Sequence, residues 1–137
     1  MSLRINGLMR PEEAVMLNGL QLAYLGDSVW ETIIRHHMVK KKMNVNHMHK
    51  ETVKLVNAGS QAGFLSLIYD MLSETEKDIV RRGRNAHPRH TIPKNQEPEN
   101  YAASTGFEAL IGYLYLIGSD DRIREIYQII SGDVENG

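Results

Sequence analysis

Apolar side chains along this chain recur at helical spacing, and no stretch alternates apolar and polar positions well enough to be read as a strand. Pro11 followed by Glu12 and Glu13 marks a helix start, with proline at the first position and acids at the positive end of the helix dipole. Leu17, Leu20, Tyr24, Leu25, Trp30, Ile33 and Ile34 then predict one long helix, or two broken near Asn18-Gly19, running to about Met38. Lys40-Lys41-Lys42 follows as a basic turn. Asn44 or Asn46 caps the next helix, which carries Met48, Val53, Leu55 and Val56. Ala58-Gly59-Ser60 reads as a break, and Phe64, Leu65, Leu67, Ile68 and Leu72 mark a further apolar face. Ser73-Glu74-Thr75-Glu76 has the form of a capping box, opening a helix that ends near Arg84.

The stretch Asn85 to Pro98 holds three of the four prolines and is expected to be the one long irregular segment. Pro98-Glu99 restarts helix, with Phe107, Leu110, Ile111, Leu114 and Tyr115 on its apolar face. Gly118-Ser119-Asp120-Asp121 ends that helix and caps a last one through about Ile130. The expected fold class is all-α.

Composition narrows the function classes. A chain of 137 residues suits a single domain spanning residues 1–137, with a basic loop at about 85–98. The absence of cysteine excludes a disulfide framework, thiolate zinc sites and thiol catalysis. No basic-then-apolar signal peptide opens the chain, and Asp27 and Glu31 interrupt the most apolar early stretch. No membrane span is expected, and the expected location is cytoplasmic.

Net charge is −1, which at first argues against a polyanionic partner. The distribution argues for one. Between Ile79 and Gln96 stand Arg81, Arg82, Arg84, Arg89 and Lys94 with no acid among them. Between Arg35 and Lys54 there are six bases against Glu51 alone, while the chain from Glu97 onward carries eight acids and two bases. This asymmetry fits either a polyanion-binding face or a solvated helix face followed by a basic loop.

Two acids sit in apolar surroundings. Asp27 lies in Leu22-Ala23-Tyr24-Leu25-Gly26-Asp27-Ser28-Val29-Trp30, and Glu108 in Gly106-Phe107-Glu108-Ala109-Leu110-Ile111-Gly112. A carboxylate so placed finds a partner, faces water or gives up its charge. From the residues alone, each acid either caps a helix or points to solvent, or the two meet across a groove and hold a divalent cation. Glu31, one turn beyond Asp27, either pairs with Arg35 or orients water at such a site. The histidines do not suggest zinc. His47 and His49 fall on different helix faces, and no His-Glu-x-x-His pattern is present. The methionines read as core filler or as packing in a dimer interface.

The two acid-bearing stretches also carry a resemblance. Asn18 to Glu31, with its Tyr-Leu-Gly-Asp-Ser-Val core at Tyr24 to Val29, resembles the first signature motif of the ribonuclease III family. Thr105-Gly106-Phe107-Glu108-Ala109-Leu110-Ile111-Gly112 resembles the second. Leu55-Val56-Asn57-Ala58 and the pattern around it fit as well, so the similarity covers nearly the whole chain. No C-terminal double-stranded-RNA-binding domain is expected, and Arg82-Gly83-Arg84-Asn85-Ala86 lies mid-chain. Both features resemble the mini-ribonuclease III branch.

The resemblance implies a ribonuclease III endonuclease domain fold, a helical homodimer, and metal-dependent endonucleolytic cleavage of double-stranded RNA to 5′-phosphate and 3′-hydroxyl ends. It further implies maturation of the ends of precursor 23S ribosomal RNA in bacteria, with Mg2+ as cofactor and Mn2+ as an alternative. Asp27 and Glu108 are the implied catalytic residues and metal ligands. Where the family generally has two further acids, this chain has Ala23 and Thr105, so the pair carries the protein's whole share of metal binding.

A-form RNA hides its major groove, so recognition is expected to run through phosphates and 2′-hydroxyls. Lys40 to Lys42, His49, Lys50, Arg81, Arg82, Arg84 and Lys94 are the candidates for phosphate contacts, and Asn85 or Gln61 for a 2′-hydroxyl. The need for a ribosomal-protein helper stays open. Two other readings stand beside this one. The first is a ribonuclease III-like RNA-binding protein of ribosome assembly with weak or absent catalysis. The second is a helical dimerisation module with no RNA role.

Overall fold

The computed structural model describes residues 4–87 and 92–136, and every regular element among them is helical. A short α1 (Pro11–Ala14) leads into the long α2 (Gly19–Lys40), followed by α3 (Val45–Val56), α4 (Ala58–Ile68), α5 (Glu74–Arg84), α6 (Pro98–Leu116) and α7 (Asp120–Asn136). A 3-10 turn over Tyr69–Met71 follows α4 directly. The all-α expectation is borne out.

Local chemistry sets most of the boundaries. The chain breaks at Asn18, where the side chain accepts from the Gln21 backbone N–H while the Gln21 side chain accepts from the Asn18 N–H. Of the two readings offered by the sequence, two helices rather than one is therefore correct. Asn44, not Asn46, caps α3 by accepting from His47. Ser73 and Glu76 form the expected capping box at 2.8 and 3.1 Å. The break expected at Ala58-Gly59-Ser60 is present but displaced. The chain turns one residue earlier, at Asn57, whose side chain accepts from Ser60 N, and Ala58 to Ser60 become the first turn of α4. The last helix continues beyond Ile130 to Asn136.

The core is organised around α6. Residues Ala103 to Leu114 of this helix are buried except Glu108, and α2, α4 and α5 pack around it. Trp30 from α2 lies at the centre, edge-on to Phe107 of α6 at 5.0 Å and close to Phe64 of α4. Its indole N–H donates to the Leu55 carbonyl at 3.0 Å, which ties the end of α3 to the same point.

Two crossings bring α6 into backbone contact with its neighbours. A Cβ on Gly26 would overlap the Glu108 carbonyl, and one on Gly112 would overlap the Leu22 carbonyl, so α2 and α6 approach more closely than any side chain permits. A Cβ on Gly83 would meet Gly106 Cα at 2.8 Å, which is the equivalent contact of α5 with α6.

The periphery is fastened by ion pairs. Arg122 of α7 reaches both oxygens of the buried Glu76 at 2.7 and 2.9 Å and the Met71 carbonyl at 2.9 Å. Burial opposes the Glu76 charge, but the hydrogen bonds from Arg122 and Ser73 outweigh it and hold the carboxyl below its usual range. Arg4 pairs with Asp120 and donates to the Tyr115 carbonyl at 2.8 Å, which docks the start of the described chain at the α6–α7 junction. No helix among the described residues is long and apolar enough to cross a membrane.

Candidate active site

The close α2–α6 crossing determines what Asp27 and Glu108 can do. Asp27 follows Gly26, and Gly26 packs directly on the Glu108 carbonyl. The two carboxyl groups therefore lie side by side, within hydrogen-bonding reach of each other. Asp27 is exposed and Glu108 half-buried. Burial, then the hydrogen bond and negative charge of Asp27, push the Glu108 carboxyl up to about 8, and Gln61 partly offsets this. Two carboxyls in this position share either a proton or a cation.

Ala23 and Thr105 add no carboxylate to the pair. Ala23 is buried, and the buried Thr105 turns its hydroxyl back to donate to the Tyr101 carbonyl at 3.0 Å. Among the described residues no group of three or more histidines, aspartates or glutamates is gathered in one place. The donor set that fits a hard divalent cation is therefore the Asp27 and Glu108 pair, with the rest of the coordination shell open to water and phosphate oxygens. Glu31 is committed elsewhere, at 2.8 Å from Arg35, which was the first of the two readings offered for it.

Gln61 is the residue that sequence reasoning misplaced. It is only 1% exposed, so it does not face outward toward a 2′-hydroxyl. It lies against Glu108, and its Nε2 has no hydrogen-bond partner of normal geometry. Leaving a buried donor unmade costs about 1–3 kcal/mol. A signal was present in the sequence: Gln61 falls on the same face as Phe64, Leu65 and Ile68, a polar residue on an otherwise apolar stripe.

The basic residues gather at the end of α5. Arg81, Arg84 and Asn85 line one shallow cleft with Tyr69, Lys77 and the acids Glu74 and Asp78. Arg81, Arg82 and Asn85 border a second with Asn18 and Leu20. Asp78 draws on this charge by pairing with Arg81 and standing 3.4 Å from Arg82 Nε. Arg82 also donates to the Leu17 carbonyl at 3.1 Å, which makes it partly a structural residue. Because Gly83 packs on Gly106, this basic end adjoins the part of α6 that leads into Glu108. Lys50 on α3 and Lys94 are exposed and line neither cleft. Lys40, Lys41, Lys42 and His49 are likewise exposed and border neither one. Arg89 lies outside the described residues.

A ribonuclease III domain model matches residues 20–119, which include both acids, Gln61 and the basic end of α5. The chain belongs to the ribonuclease III family. Within that family it is 43% identical to a mini-ribonuclease 3 of Symbiobacterium thermophilum over 94% of this chain and 99% of the relative. It is 49% identical to a mini-ribonuclease 3 of Thermoanaerobacter over 89% and 86% of the two chains. A solved Fusobacterium nucleatum protein superposes with a TM-score of 0.78 at 31% identity, covering 84% of this chain and 93% of that one. The resemblance to the mini-ribonuclease III branch is borne out, and the activity class is that of a ribonuclease III-type endoribonuclease.

Proposed function

We propose that this protein cleaves double-stranded RNA by divalent-cation-assisted hydrolysis, with Asp27 and Glu108 as catalytic residues and cation ligands, and that it matures the ends of precursor 23S ribosomal RNA. The observation that carries the reading is the convergence of these two carboxyls, from α2 and α6, within hydrogen-bonding reach of each other, on helices that both pack against the arginine-bearing α5. Family membership favours a divalent metal, and the oxygen-only donor pair favours Mg2+, with Mn2+ as an alternative. When bound, the cation supplies Lewis acidity to a phosphoryl oxygen and to attacking water. The chain's own part is to hold two carboxylates in fixed opposition and to place the RNA backbone against them.

Arg81, Arg82, Arg84 and Asn85, with the exposed Lys50 and Lys94, supply phosphate and sugar contacts. A homodimer is the expected working form. Met16, Leu20 and Tyr24 support it, because Tyr24 is 86% exposed and Met16 81%, and Leu20 and Tyr24 precede Asp27 at helical spacing on α2. A second copy seated there would set two centres on opposite strands of one duplex. We read the chain as a single catalytic domain acting in the cytoplasm, with the requirement for a ribosomal-protein helper left to experiment.

The test is incubation with a duplex containing the stem of precursor 23S ribosomal RNA and Mg2+, alongside sedimentation to establish oligomeric state. Cleavage to 5′-phosphate ends is expected in the wild type, and its loss in Asp27→Asn and in Glu108→Gln with helicity intact. Cleavage unaffected by either change removes the proposed centre. Duplex binding without cleavage in Mg2+ or Mn2+ would instead make this an RNA-binding protein of ribosome assembly, consistent with Ala23 and Thr105 standing where acids are usual.

A further inference from the structure

Three helices converge on one point and each contributes one polar side chain: Asp27 from α2, Glu108 from α6 and Gln61 from α4. Only the first two are acids. Gln61 is held as firmly as they are. Its backbone N–H donates to the Asn57 carbonyl at 3.0 Å. Asn57 also caps α4 through Ser60 at 2.8 Å and donates to the Val53 carbonyl at 3.0 Å, while the Ser60 hydroxyl donates to the Lys54 carbonyl. This knot of hydrogen bonds fixes the α3–α4 junction immediately before Gln61. The side chain is thus delivered, buried, against Glu108, with an amide donor that no protein group other than this carboxyl is placed to take up. A glutamine in that position on an apolar stripe adds nothing to packing that a methionine of the same shape would not add.

We propose that Gln61 is a positioning residue for the acid pair. Its amide holds the Glu108 carboxylate turned toward Asp27, so that the two present their oxygens to a divalent cation together. Glu108 is the half-buried member of the pair, carried on a helix whose neighbouring residues are buried, and no described hydrogen bond other than those with Asp27 and Gln61 restrains its side chain. When the cation draws the Asp27 oxygens to itself, Gln61 remains the protein group able to donate to Glu108. Outer partners of this kind commonly determine ligand orientation. The inference rests on the reading of Asp27 and Glu108 as the cation-binding pair.

Three proteins are compared in metal-free buffer titrated with Mn2+, following free Mn2+ by electron paramagnetic resonance: wild type, Gln61→Met and Asp27→Asn. Thermal unfolding and cleavage of duplex RNA are measured on the same samples. Gln61→Met keeps shape and burial, so its melting temperature is expected to stay level or rise. Its Mn2+ affinity is expected to fall about 10-fold. In cleavage, kcat should fall while KM for duplex stays the same. Gln61→Glu, which keeps an oxygen but loses the donor, should not restore kcat.

Mn2+ affinity within twofold of wild type in Gln61→Met, with binding abolished in Asp27→Asn, overturns the positioning role and leaves the acid pair standing. Unchanged Mn2+ binding in Asp27→Asn, or no uptake by wild type, overturns both. A lower melting temperature in Gln61→Met with unchanged Mn2+ affinity assigns Gln61 a purely structural part and also overturns the proposal.

Discussion

A carboxyl pushed up to about 8 is a statement about stability as well as chemistry. In the metal-free protein Glu108 binds its proton more tightly when folded than the ordinary 4.5 of an unfolded chain, so the native state holds more protons between those values. Stability from this group is complete below about pH 4.5 and falls as pH rises through 8. Relative to Glu108→Gln, wild type should lose on the order of 3 kcal/mol between about pH 5 and about pH 9. Urea denaturation of both proteins in a chelator measures this, and a difference that does not change with pH would contradict a carboxyl raised by burial and by Asp27. Glu76 carries the opposite sign. Its carboxyl is held below 4.5, so its contribution is present at neutral pH and is lost as pH falls through the folded value. Arg122→Met, which leaves that buried carboxylate without its bidentate partner, should cost about 3 kcal/mol at pH 7. The penalty should shrink in acid, where Glu76 is neutral. Both acids were visible in motifs, Glu108 in the second acid-bearing stretch and Glu76 in the capping box of α5. That Glu76 serves α7 as well as its own cap depends on Arg122 arriving from a distant part of the chain.

Helix crossings determine the site more than helix propensities do. The α2–α6 contact is a backbone contact, and the overlap that Cβ atoms would make at Gly26 and Gly112 leaves nothing flexible to yield. Gly112→Ala should therefore destabilise the fold by about 3 kcal/mol or more, through separation of the two helices. Cleavage should fall with stability, because that separation also parts Asp27 from Glu108. Gly63 provides the contrast. It is helical, exposed and meets nothing within 4 Å of a built Cβ, so Gly63→Ala should stabilise by about 0.5–1 kcal/mol with cleavage unchanged. Thermal melts of the two variants side by side check the pair of expectations. Element boundaries were legible where a side chain caps a backbone locally, as at Asn18, Asn44 and Ser73. The break near Ala58 to Ser60 was placed one residue late, because the cap formed by Asn57, and not the small residues after it, separates the two helices.

For the whole molecule, a net charge of −1 conceals a separation that matters for binding. The arginines ending α5 border open clefts, while the acids of α7 pair among neighbours such as Arg4, Arg122 and Arg124. Affinity for duplex RNA should therefore fall at least tenfold between about 50 and about 200 mM salt, despite the acidic overall balance. A salt-independent association measured by fluorescence anisotropy would argue against phosphate recognition by this end. The sequence by itself determined the helical class, most caps, the acid-bearing motifs and the family, because these follow from periodicity, local hydrogen bonding and short contiguous patterns. Tertiary structure alone decided that Asp27 and Glu108 face each other, that Arg82 is partly a structural residue, and that Gln61 turns inward to the acids. Those facts depend on how closely two helices approach, and that distance is set by glycines far apart in the chain meeting face to face. A sequence shows the glycines; only packing shows which carbonyl each of them touches.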